Sequence, residues 1–128
     1  MNERNKEKEN GKNELILIPK YERYIQYMIE VILKIPRTEK FNIGNEFKTV
    51  MYKGLENILY LNKIEISKRM YYLNLIDACL NSQRIMIRIM LKNKWIDKKK
   101  YLVSMEMIYE IGKILGGLIK FYAKNNKK

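Results

Sequence analysis

At 128 residues and 15.5 kDa, with 47% apolar and 31% charged residues, the chain holds material for one hydrophobic core and is expected to form a single domain. It has no histidine and one cysteine, Cys79, which excludes an internal disulfide and a cysteine- or histidine-rich metal site, so neither metal nor cofactor is expected. A formal net charge of +12 makes a polyanion the natural class of partner.

Residues 1–14, "MNERNKEKENGKNE", set four acidic against four basic residues, with no large apolar side chain after Met1. They read as a charged flexible tail, disordered or loosely helical, and the whole positive excess belongs to residues 15–128. A bias toward A and T in the coding sequence favours Lys over Arg but not Lys over Glu, so it does not explain that excess. Nothing resembles a signal peptide, and charges break every apolar run short of a membrane span. A cytoplasmic protein that does not engage membranes is expected.

From Leu15 onward apolar residues recur at intervals of three and four. Tyr21, Tyr24, Ile25, Met28, Val31, Ile32 and Ile35 make the stripe of a first helix, which Pro36 ends. Thr38 reads as the N-cap of a second helix with Glu39 in its first turn, its stripe being Ile43, Phe47, Val50, Gly54, Ile58 and Leu61. A third helix from about Ser67 carries Met70, Leu73, Ile76, Leu80, Ile87 and Leu91 on one side. Tyr72, Leu75, Cys79, Met86 and Ile89 lie beside them, an arc wide enough to meet two neighbours. Asp97 reads as the N-cap of a fourth helix. Its Tyr101, Met105, Ile108, Gly112, Leu115, Ile119 and Tyr122 alternate steps of four and three, the period of a coiled-coil seam. With short connections and no alternating strand pattern, the prediction is an all-α fold: an up-down-up-down antiparallel four-helix bundle over residues 15–124, followed by a basic tail at 125–128.

The glycines of "GKILGG" do not form a phosphate loop, which needs a strand before it and a Ser or Thr after the lysine. The helical period runs through them. Gly112, Gly116 and Gly117 are therefore expected to bare a helix surface for close packing, within the bundle or between copies. No catalytic residue is expected: Cys79 has no histidine to activate it, and Glu106 and Glu110, one turn apart, read as a solvated face. The basic residues are more informative. Arg84, Arg88 and Lys92 recur at i, i+4 and i+8 on the third helix, and like charges stacked that way repel unless a polyanion or an acidic partner faces them. Together with Lys94 and Lys113 they are the candidate contacts to RNA or DNA phosphates, with no recognised module for reading bases.

Three segments carry a family resemblance: "KIPRTEKFNIGNEF", "RIMIRIMLK" with Arg84 and Arg88, and above all "YEIGKILGGLIKF" with Glu110, Ile111, Gly112, Lys113, Leu115, Gly116, Gly117 and Lys120. From Ile18 to Phe121 the chain resembles the small four-helix-bundle proteins that include the accessory variability determinant of diversity-generating retroelements. One departure is Leu118, where that family usually has an aromatic residue. The resemblance implies a non-enzymatic accessory protein: a basic homopentameric ring that associates with the element's reverse transcriptase and with nucleic acid during mutagenic copying of template RNA into cDNA. The same fold family includes proteins encoded in intervening sequences of ribosomal RNA genes and stand-alone members. The alternative that it implies is thus a structural or interaction module with no retroelement.

Overall fold

The computed structural model describes residues 3–126. Its elements are α1, Glu3–Leu33; α2, residues 37–60; α3, Ile66–Lys92; and α4, Lys98–Asn126. α2 is one continuous helical segment in three parts: a turn at Arg37–Glu39, a π-helical stretch at Lys40–Gly44 and an α-helix at Asn45–Tyr60. Among the described residues there is no strand. α1 packs on α2 and α4, and α3 packs on the same two helices, so the four segments form a bundle around one core.

Three local expectations are revised. The first helix begins at Glu3 rather than at Leu15, because Glu, Lys and Arg are strong helix formers and extend the turn pattern outward from the apolar segment. Pro19 lies inside it and cannot donate a backbone hydrogen bond to the carbonyl one turn earlier. The expected tail residues Met1, Asn2, Lys127 and Lys128 lie outside the described residues. Thr38 is not the N-cap of α2. Pro36, extended at φ −54 and ψ 141, already sets the chain for a helical start, and its carbonyl accepts from the amides of Glu39 and Lys40 at 2.9 and 3.1 Å. Asp97, by contrast, caps α4 as its position predicts: the Lys100 amide donates to its Oδ1 at 2.7 Å.

The third revision concerns the α4 seam. The fully buried line is Ser104, Ile108, Ile111, Leu115, Leu118 and Tyr122, which has the expected period but is rotated about the axis. Tyr101, Met105, Gly112 and Ile119 sit half-buried on its flank. Periodicity alone cannot choose among lines within a wide apolar arc. Ser104 joins the core because its hydroxyl donates to the Lys100 carbonyl at 2.6 Å. Leu118 is completely buried, so the position fills the core without an aromatic ring.

A polar network crosses the bundle centre. The Tyr21 hydroxyl donates to the Met51 carbonyl at 2.6 Å, while Gln83 Nε2 donates to the Tyr21 hydroxyl and to the Cys79 carbonyl, each at 3.1 Å. α1, α2 and α3 are thereby joined in one register. Gly54 makes this possible, since a Cβ there would collide with the Tyr21 hydroxyl. Burial pushes the phenols of Tyr21 and Tyr24 far up from their ordinary values, so both stay neutral.

Candidate functional site

The basic ridge predicted on α3 is only partly a solvent-facing row. Arg88 and Lys92 are exposed one turn apart, but Arg84 is half-buried. Its Nη1 donates to Asn81 Oδ1 at 2.6 Å, and its guanidinium lies over Gly112 of α4, where any Cβ would meet Nη2. Gly112 therefore clears space for an arginine rather than for a neighbouring helix backbone. Gly116 and Gly117 have open space where a side chain would stand, so within this chain neither is a close-packing position. Lys113 is exposed on α4, next in the chain to the glycine beneath Arg84.

Lys94 follows α3 with φ 63, the one non-glycine left-handed residue among those described. The Lys94 amide donates to the Leu91 carbonyl and the Trp95 amide to the Met90 carbonyl, both at 2.9 Å, which closes the helix in the way a glycine usually does. A lysine in that conformation costs about 1 kcal/mol or more relative to glycine. Its side chain is exposed at the α3–α4 connection.

Antiparallel packing places this connection at the same end of the bundle as the α1–α2 connection. Asp97 lies close enough to Tyr27 of α1 to disfavour its phenolate, a smaller effect than burial on a phenol that is raised overall. Residues 34–40 and 92–100 together hold eight basic and two acidic side chains, half of the chain's net charge of +12. Lys34, Arg37 and Lys40 come from one connection, and Lys92, Lys94, Lys98, Lys99 and Lys100 from the other. The run of lysines at 98–100 is visible in the sequence; its meeting with Lys34 and Arg37 is not. Among the described residues none of the eight forms an ion pair, whereas Lys53 and Glu56 on α2 pair at 3.6 Å. Arg69, near the start of α3, is engaged structurally: its Nη1 donates to the Tyr122 hydroxyl at 2.7 Å, and its guanidinium lies 5.7 Å from the centre of that ring.

Little here suits catalysis. Cys79 is half-buried rather than enclosed, and burial raises its thiol pKa, opposed only in part by Lys53. Glu106 and Glu110 are exposed, and Glu110 borders a shallow cleft of about 90 Å³ with Lys20, Arg23 and Met107, too small for an ordinary cofactor. Among the described residues no group of three or more His, Cys, Asp or Glu is placed to hold a metal. No helix there is long and apolar enough to cross a membrane.

The fold and its surface define an all-helical bundle with a largely unpaired positive exterior. The family model described as bAvd-like matches residues 15–122, and the chain belongs to that family of helical-bundle accessory proteins. Comparison with curated proteins finds no match.

Proposed function

We propose that the protein is a non-catalytic, nucleic-acid-binding accessory subunit of a diversity-generating retroelement, acting beside its reverse transcriptase on template RNA or cDNA. The observation that carries the reading is the uncompensated positive surface, in which Arg88, Lys92, Lys94 and Lys113 are exposed without ion pairs among the described residues. Charges so placed attract phosphates and release counterions on contact. Arg84 supports the ridge from its seat over Gly112.

Self-association into a ring belongs to the same proposal. The open positions at Gly116 and Gly117, and the exposed Ile85 and Ile89 one turn apart on α3, favour close contact with another copy. Those exposed isoleucines also support the second reading, a ribosomal-RNA intervening-sequence or stand-alone protein whose surface docks a protein partner.

Replacing Arg84 and Arg88 together with Glu should abolish binding to RNA and DNA at modest salt while the helical circular dichroism is kept. Wild-type affinity in that variant removes the ridge as the site. A wild-type protein that captures a reverse transcriptase yet binds no polynucleotide favours the second reading.

A further inference from the structure

We propose that the end of the bundle formed by residues 34–41 and 92–100 is a docking surface for single-stranded nucleic acid, with phosphates on its lysines and arginine and a base stacked on Phe41. This rests on the nucleic-acid reading above; it shares Lys92 and Lys94 with the surface described there, while Lys34, Arg37, Phe41, Lys98 and Lys99 lie outside the α3 ridge.

The charge at this end runs against local stability. Lys98, Lys99 and Lys100 occupy the first turn of α4, where the helix already presents partial positive charge and where acidic residues are favoured. Lys94 takes a backbone conformation in which glycine is the usual choice. Lys34, Arg37, Lys92, Lys94, Lys98 and Lys99 are all exposed, and none of them forms an ion pair among the described residues. Six cations at one end of the bundle, with Asp97 committed to its cap and Glu39 half-buried, repel one another in the free protein and gain when an anionic chain crosses them. A second copy of this chain would bring the same charge, so two such ends do not pack together.

Phe41 makes the occupant more specific than a duplex backbone. It is 71% exposed, the most exposed of the large apolar side chains among the described residues, and stands one residue from Lys40 on the π-helical stretch. Short π-helical stretches are uncommon and are frequently found at functional positions. An aromatic ring beside a cationic surface is the combination that binds unpaired strands, because every base offers a face to stack while the phosphates follow the charge. In a duplex the bases are stacked on one another and closed to such a ring.

Fluorescence anisotropy with a labelled uridine homopolymer and with a duplex of equal length, over a salt series, tests this. Two full-length variants are compared with wild type: Arg37→Gln combined with Lys98→Gln and Lys99→Gln, and Phe41→Ala. Circular dichroism checks that each remains helical. The triple variant should bind the single strand more weakly, with the slope of log affinity against log salt reduced by about 2, from three phosphate contacts. Phe41→Ala should lose at least about fivefold on the single strand with its salt slope unchanged, and much less on the duplex. Either variant binding the single strand as wild type does overturns the inference, as does an equal loss on both substrates for Phe41→Ala. If those outcomes occur while Arg84 and Arg88 still matter, the accessory function stands without this surface. If the wild type binds neither polynucleotide, the broader reading fails and this one with it.

Discussion

Tyr21 and Tyr24 are consecutive core tyrosines on α1, both completely buried, yet their hydroxyls differ in what they do. The Tyr21 hydroxyl donates to one helix and accepts from another, whereas the buried Tyr24 hydroxyl has no hydrogen-bond partner among the described residues. Removing a paired hydroxyl strands its partners; removing an unpaired one relieves a desolvation penalty. Tyr21→Phe should therefore cost about 1–3 kcal/mol in denaturant unfolding, while Tyr24→Phe should be neutral or stabilising. Equal losses would contradict the network. The same phenols set an alkaline limit. Their folded pKa values lie above the ordinary value near 10, so the folded state holds protons that the unfolded chain releases. Their contribution is complete below about pH 10 and declines as pH rises beyond it, and unfolding midpoints followed into alkali should show that part missing from a variant with both tyrosines changed to Phe.

At the scale of elements, glycines at comparable helix positions have different purposes. Alanine at Gly54 would strike the Tyr21 hydroxyl, which two hydrogen bonds hold in place, so Gly54→Ala should destabilise by about 1–3 kcal/mol. At Gly112 the obstacle is the far end of Arg84, which can swing into solvent, and alanine is favoured in a helix by about 1 kcal/mol. Gly112→Ala should leave thermal stability nearly unchanged while displacing the Arg84 guanidinium, visible as a shift of its side-chain NMR signals. Helical spacing sets Gly112 and Gly116 one turn apart with Gly117 beside them; only the position of Arg84 separates Gly112 from the other two. Asp97 was legible from its place before the last amphipathic segment. Asp97→Ala should cost about 1 kcal/mol of stability by removing the cap over a first turn of lysines.

For the molecule as a whole, the open faces at Gly116 and Gly117 connect stability to assembly. In an isolated chain, alanine at either position meets nothing within 4 Å and should raise helix stability by up to about 1 kcal/mol. If these faces meet another copy, the same substitutions lower the native mass measured by light scattering or native mass spectrometry. Stabilisation with an unchanged native mass would remove these glycines from the assembly interface.

Local chemistry written along the chain determined the helical class, the number of long helical segments, most of the core and the Asp97 cap, because periodicity and capping act over a few residues. The family was legible too, in the glycine-bearing stretch near the C-terminus. Tertiary packing decided which line of α4 faces inward, that Arg84 lies over Gly112, that Gln83 joins Tyr21 at the centre, and that lysines from two distant connections share one end. Those outcomes depend on how helices are rotated and paired, a choice made by the summed fit of the whole core, and no short window of residues contains it.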